Sequence, residues 1–362
     1  MNHARRIGSI RRKLAALNHA ALLVTHLPDL RYLCGFTGSS AALAVTRHAA
    51  RLFTDGRYTT QAAAEVKAAK VEIISSGPAI AALQWMAAQP GVDSFAFDPT
   101  QTTVSELSAL KAALPARLRK GLNPLESPLI EPLRQLKDPD ELAIISEAAL
   151  IGCRLFEEIL TVIRPGMTEI DLAAELEYRA RRKGAEGMSF ETIAASGARS
   201  ALPHGRASSA KLPRKGFLTL DFGVIWQGYC SDMTRTVHLG KPGIRERAIY
   251  QAVLEAEEAA VAAVESGVDC ATVDEAARSV LRINNLADYF THSTGHGVGL
   301  EIHEGPRVGA KQKTRLAPGM VITIEPGVYL PGEFGIRIED MVVVGRGSRQ
   351  ILTPAPKALI EL

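Results

Sequence analysis

The chain of 362 residues is long enough for two domains and has an ordinary globular composition, 46% hydrophobic and 22% charged. Its 42 basic and 39 acidic side chains leave a net charge of +3, and no basic tract runs longer than Arg11-Arg12-Lys13, which argues against a nucleic-acid partner. The four cysteines, Cys34, Cys153, Cys230 and Cys270, are far apart and form no CxxC, which excludes a zinc knuckle or a disulfide framework and predicts buried, reduced thiols.

At the basic N-terminus, Ile7, Ile10, Leu14 and Leu17 recur at helical spacing with charges between them, so a first helix is expected there, not a signal peptide. No apolar run reaches about 18 residues, so no membrane span is expected and the cytoplasm is the default location. The short apolar runs AALLVTH, AALAVT, RLFTD, VEII and SFAFD alternate with Ala-rich stretches such as Thr59 to Ala69, the rhythm of an α/β domain. Pro115, Pro124, Pro128 and Pro132 then mark a linker, which puts the boundary near residue 125 and defines domains 1–125 and 126–362. A long helix is expected from about Pro139 to Leu160, with Pro at its start and acids in its first turn.

Beyond that helix the sequence echoes itself. TLDFGV at 219–224 reads like TIEPGV at 323–328, and Ile170-Asp171-Leu172-Ala173-Ala174 reads like Val273-Asp274-Glu275-Ala276-Ala277. Two matches at nearly one offset, about a hundred residues, suggest two related halves packed about a pseudo-twofold axis. Asp221 and Glu325 then occupy equivalent positions and can converge on one site.

Asp221 interrupts an apolar strand, and a hairpin there brings Asp232 close to it across the strands. In the second half Glu325 lies in one β-like run, and Glu339 or Asp340 in another. Only one of that last pair can face the site, because neighbouring strand residues point to opposite sides. Acids gathered in a core cannot all stay ionised without compensating cations, and divalent metal is the simplest compensation. Oxygen ligands with one imidazole suit manganese, cobalt or zinc. Three histidines and four glycines crowd THSTGHGVGLEIHEGP at 291–306. The glycines disfavour a helical HxxxH motif and allow backbone to approach closely around His296, which marks it as a candidate ligand. His204 and His303 are candidate proton carriers or hydrogen-bond donors.

Together, Asp221, Asp232, His296 in GHGVGLEIHEGP, Glu325 in TIEPGVY and Glu339 in GIRIEDM resemble the five metal ligands of the pita-bread metallopeptidases, the family of methionine aminopeptidase, aminopeptidase P and prolidase. PHGR around His204, His292, His303 and Arg337 resemble the proline-specific branch. YLCGFTGSSAALAV and RLFTDGRYTTQA resemble its creatinase-like N-terminal domain. The resemblance implies an α/β creatinase-like domain followed by an α+β pita-bread catalytic domain with pseudo-twofold symmetry. It implies two divalent metal ions, Mn2+ first and Co2+ or Zn2+ as alternatives, with Asp232 and Glu339 bridging, Asp221 on one metal, and His296 and Glu325 on the other; Asp340 stays outside. Glu325 shuttles a proton in this scheme, and His303 and His204 donate to the oxyanion. His292 and Phe190 wall the proline ring, and Arg337 reads a substrate carboxylate or orients Glu339. The activity implied is an Xaa-Pro aminopeptidase acting on proline-containing peptides, with Xaa-Pro dipeptidase (prolidase) as the alternative. A metal-independent creatinase-like hydrolase or a non-catalytic binding protein is more remote, since the ligand set is intact. A cytoplasmic homodimer is expected, with the Gly38-Ser39-Ser40 run reaching the partner's site.

Overall fold

The basic N-terminus folds as the helix His3–Ala16, burying Ile7, Ile10 and Leu14, as their spacing requires. The computed structural model describes residues 1–362, which divide into two compact units, Met1–Arg134 and Gln135–Leu362. The first unit is a six-stranded mixed sheet of β1 (Ala21–Val24), β2 (Ala41–Thr46), β3 (Ala50–Asp55), β4 (Lys70–Ile74), β5 (Phe95–Phe97) and β6 (Leu122–Pro124), in the order β4-β3-β2-β1-β5-β6. The five apolar runs are its first five strands. The Ala-rich helix runs only over Thr59–Glu65, because Val66 turns to extended backbone and the Lys67 N–H bonds the Cys34 carbonyl.

The proline-marked segment is more than a linker. Leu122–Pro124 pairs in parallel with β5 at the sheet edge, where a proline costs no ladder bond. Leu125, Leu129 and Ile130 are buried, and Arg134 pairs with Asp29 at 2.8 Å, so the first unit extends to Arg134 and not to the expected 125.

The second unit opens with the helix Pro139–Leu160, started by a capping box between Asp138 and Glu141 with proline in the first turn. The helix Glu169–Arg182 follows, capped by Thr168 and Asp171. Its strands are β7 (Gly187–Met188), β8 (Ile193–Ser196), β9 (Gly216–Phe222), β10 (Val224–Trp226), β11 (Tyr229–Cys230) and β12 (Met233–Leu239). Strand β9 lies between β8 and β12, antiparallel to both, and one hydrophobic cluster joins this sheet to the two helices.

The pattern then repeats. Helices Ile244–Ala263 and Cys270–Ile283 precede β13 (Gly295–Gly297), β14 (Glu304–Val308), β15 (Val321–Ile324), β16 (Gly327–Leu330), β17 (Phe334–Arg337), β18 (Asp340–Val344) and β19 (Arg349–Ile351). Strand β15 lies between β13 and β18, again antiparallel to both, over a second large cluster. Each half is thus a helix pair over an antiparallel sheet, with the acid-bearing strand in the middle. All four cysteines are free and buried. No helix is long and apolar enough to cross a membrane.

Candidate metal centre and substrate cleft

Strand pairing places the acids. Between β9 and β12 the register sets Asp221 directly opposite Thr234, so Asp232, just before β12, is its diagonal neighbour on the same face. The connection is not a simple turn. Residues 224–230 fold out as a small hairpin, β10 to β11, whose two-residue loop Gln227-Gly228 has positive φ at both positions, the form that matches strand twist. Gly223 permits this return, since a Cβ there would lie 1.7 Å from the Ser231 carbonyl oxygen. In the second half Glu325 follows β15, and Glu339 precedes β18 as Asp232 precedes β12. The two strand starts meet: the Glu339 N–H donates to the Thr234 carbonyl at 3.1 Å, and Thr234 Oγ1 donates to Glu339 Oε2 at 2.7 Å.

Alternation decides between Glu339 and Asp340. Glu339 faces the acids, while Asp340 turns to the other side of the sheet and pairs with Arg235 at 2.7 Å and Lys357 at 2.8 Å.

His296 sits in the middle of β13. The flanking glycines serve the sheet: a Cβ on Gly295 would meet the Thr323 carbonyl oxygen at 1.9 Å, and one on Gly297 the Gly305 carbonyl oxygen at 2.1 Å. The close backbone approach is therefore to neighbouring strands, not to a metal. Nδ1 of His296 lies 3.0 Å from the Gly297 carbonyl, which can only accept, so the proton sits on Nδ1 and the Nε2 lone pair points inward. That lone pair faces Asp232 Oδ2 at 3.6 Å and Glu325 Oε1 at 3.5 Å. An acceptor aimed at two carboxylates is repulsive unless a cation lies between them.

Other observations agree that the donor set fits a divalent metal. The ligating atoms of Asp232, His296 and Glu339 all lie within 4.8 Å of one another. Asp221 Oδ1 and Asp232 Oδ1 are buried without a hydrogen-bond partner. Burial and the neighbouring acids push Asp232 and Glu339 well above the ordinary carboxylate range, and burial pushes Glu325 up to about 8. Burial also lowers His296 to about 4, keeping it a neutral ligand. All of these are oxygen or imidazole donors, the set that Mn, Co or Zn accepts.

Arg337, 4% exposed, spends its guanidinium inside the protein. It donates to Asp221 Oδ2 at 2.5 Å, Thr234 Oγ1 at 3.1 Å, Tyr329 Oη at 2.6 Å and the Pro203 carbonyl at 3.1 Å. It therefore holds Asp221 directly and reaches Glu339 only through Thr234, and its bonds leave little for a substrate carboxylate. Tyr329 passes the chain on to His292 Nε2 at 2.9 Å, while His292 Nδ1 donates to the Ser293 carbonyl at 2.9 Å. With both nitrogens engaged, and its pKa lowered by burial to about 4, His292 offers substrate a neutral ring face.

Ten residues singled out from the sequence line one cleft of about 660 Å³: Phe190, His204, Asp221, Asp232, His292, His296, His303, Glu325, Arg337 and Glu339. The acids and Arg337 form its floor, and His204 and His303 are exposed on its walls, the His303 ring 4.5 Å from that of His296. Sequence reasoning missed Arg206 and Arg307 on the rim, and Thr234 and Tyr329 behind the acids. Arg206 is paired with Glu191 at 2.8 Å, whereas Arg307 alternates outward between buried Pro306 and Val308 and has no acid partner. That alternation was the available signal for Arg307.

A cation site of carboxylates and one histidine, spread over two similar half-domains, defines the class as metal-dependent. Residues 143–346 match metallopeptidase family M24, and residues 6–135 match the creatinase/prolidase N-terminal domain. The chain is 37% identical over 358 residues to an uncharacterized peptidase of Bacillus subtilis, YqhT, covering 99% of this chain and 100% of that one. Among solved structures it resembles an Xaa-Pro dipeptidase from Bacillus anthracis, at 37% identity and a TM-score of 0.95 over the full length of both chains. It also resembles an X-Pro aminopeptidase from Thermotoga maritima MSB8, at 35% identity and a TM-score of 0.89, covering 97% of this chain and 100% of that one. The chain belongs to metallopeptidase family M24, in its proline-specific branch with the creatinase-like N-terminal domain and the pita-bread fold.

Proposed function

We propose that the protein is a metal-dependent exopeptidase that hydrolyses the bond between a first residue and proline. The observation that carries this reading is the His296 lone pair directed at Asp232 and Glu325 on the floor of a cleft. Relatives named for Xaa-Pro cleavage, similar over nearly the whole chain, support the substrate class. Asp221, Asp232, His296, Glu325 and Glu339 would hold two divalent cations, Mn2+ first. When bound, such cations supply Lewis-acid activation of water and of the scissile carbonyl.

The protein's own groups do the rest. Glu325 takes a proton from the attacking water on its carboxylate and returns it to the leaving proline nitrogen. His303, neutral because burial and His204 lower its pKa, donates an N–H to the developing oxyanion, and His204 donates from the facing wall. Phe190 and the fixed ring face of His292 enclose the pyrrolidine. Arg337 orients Asp221 through its guanidinium.

The exposed, unpaired guanidinium of Arg307 favours a substrate with a free carboxylate just beyond proline, which is the dipeptide. A second reading, the aminopeptidase, is favoured by the exposed rim residues His204, Arg206 and His303, which leave room for a longer peptide to run out. Product analysis with an Xaa-Pro dipeptide and an Xaa-Pro-Yaa tripeptide, each with a chelator control, tests both. Chelator-sensitive cleavage confined to the dipeptide establishes the first, and release of the first residue from the tripeptide establishes the second. No cleavage of either by metal-loaded protein refutes the Xaa-Pro assignment.

A further inference from the structure

Glu169 lies in the first turn of the helix Glu169–Arg182, does not line the cleft, and is fully buried. Helix capping does not explain it, because Thr168 and Asp171 already complete the capping box. A carboxylate this deep is costly unless its oxygens are fully bonded. Oε1 accepts from the Ser196 N–H at 2.8 Å and Oγ at 3.0 Å. Oε2 accepts from Arg199 Nε at 2.9 Å, the Ser208 N–H at 3.1 Å and Ser208 Oγ at 2.7 Å.

Those donors are the last residue of β8, Ser196, and Arg199 and Ser208 in the segment that runs from β8 to β9. Ser196 is where that segment leaves the sheet, and Ser208 is where it returns to the helix, with the Ile170 N–H bonded to the Ser208 carbonyl at 3.0 Å. Arg199 extends the arrangement inward, its Nη2 donating to the Arg206 carbonyl at 2.7 Å. Between those ends the segment carries Pro203, His204 and Arg206 to the cleft, and the Pro203 carbonyl receives Arg337. Gly205 lets it lie flat, since a Cβ there would meet Ala195 Cβ at 3.0 Å.

We propose that Glu169 is a positioning residue for catalysis: by closing the base of residues 196–208, it fixes where His204 and Arg206 stand against the substrate. This rests on the reading of His204 as an oxyanion donor, and the test separates the two. In E169Q an NH2 group replaces one oxygen and faces donors, so only one side of the segment stays bonded; S208A removes a single hydroxyl and is the milder variant.

The experiment measures kcat, KM and metal content of metal-loaded E169Q and S208A, each alone and in an H204A background, together with amide exchange at Gly205 and Arg206. The expected result is a kcat roughly tenfold or more lower in E169Q, the scale on which small displacements of a catalytic group act. S208A should fall less, with metal content unchanged and faster exchange at both amides. In the H204A background the further loss should be under about twofold, because the two changes act through one group. Equal losses in both backgrounds, a loss of metal, or unchanged exchange would overturn the proposal. Wild-type kcat in H204A would remove His204 from the mechanism, and the exchange data would still decide whether Glu169 fixes the segment.

Discussion

The two faces of the sheet around Glu339 and Asp340 hold two buried charge clusters of opposite design. On one face Asp221, Asp232, Glu325 and Glu339 gather around a single cation, Arg337, and a neutral imidazole. On the other, Asp340 and Glu257 meet Arg235 and Lys357, and every charge has a counterpart: Lys357 Nζ is 2.7 Å from Glu257 and 2.8 Å from Asp340. Neighbouring residues in one strand thus enter environments that differ by several uncompensated charges. The balanced cluster matches its acids with cations inside the protein, although Glu257 Oε1 has no hydrogen-bond partner and burial beside Asp340 pushes that carboxyl up to about 8. The unbalanced one must take up protons or cations to offset its charge, the pattern expected of a metal-binding site.

The sharpest way to break the contrast is to remove an acid from each face. Asp232→Ala or Glu339→Ala should lower kcat/KM by at least about a thousandfold and abolish metal binding, with secondary structure retained, as read by peptide hydrolysis, metal analysis and circular dichroism. Full activity in either variant would show that the acid is not a ligand. Arg235→Met attacks the balanced face, where Arg235 also bonds the carbonyls of Thr234, Thr353, Ala355 and Pro356. It should cost about 3–5 kcal/mol in urea unfolding, because Asp340 loses its main partner.

Chelation should expose the deficit directly. A carboxyl held above its ordinary value binds a proton in the folded chain that the unfolded chain has already released, so rising pH lowers stability. For Glu325 that window runs from the usual 4.5 to about 8, and Asp232 and Glu339 shift the same way. The melting temperature of chelated protein should fall across this range relative to reloaded protein; parallel pH profiles would refute the cation deficit. The smallest effect concerns Tyr329→Phe, which removes the hydroxyl between Arg337 and His292. Leaving His292 Nε2 without its donor and removing one bond from Arg337 should lower kcat/KM by roughly tenfold, on the scale of about 1–3 kcal/mol, with metal content unchanged.

Much of this was legible before any coordinates. Asp221, Glu325 and Glu339 stand out because each interrupts or borders an apolar strand, and the repeat of TLDFGV in TIEPGV announces that the halves converge. What stayed hidden depends on register and on side-chain reach. Nothing in the sequence says that Arg337 bonds Asp221, more than a hundred positions away, since the pairing arises only where β17 passes β9. Thr234 and Tyr329 are ordinary strand residues whose hydroxyls matter only because of what lies opposite. The prolines of 115–132 read as a linker because an edge strand tolerates proline, which local pattern cannot distinguish from a loop.

The meeting of Thr234 and Glu339 at the starts of β12 and β18 also governs the order in which the protein comes to life. The proposed ligands lie on segments separated by roughly a hundred residues, so the site can close only after the slow, long-range pairing of the two halves. A chain in which only the first half has folded holds two aspartates on a hairpin, with neither His296 nor Glu325 and Glu339 beside them. In the proposed scheme such a chain would lack three of the five ligands, so the site would be complete only when both halves are in place.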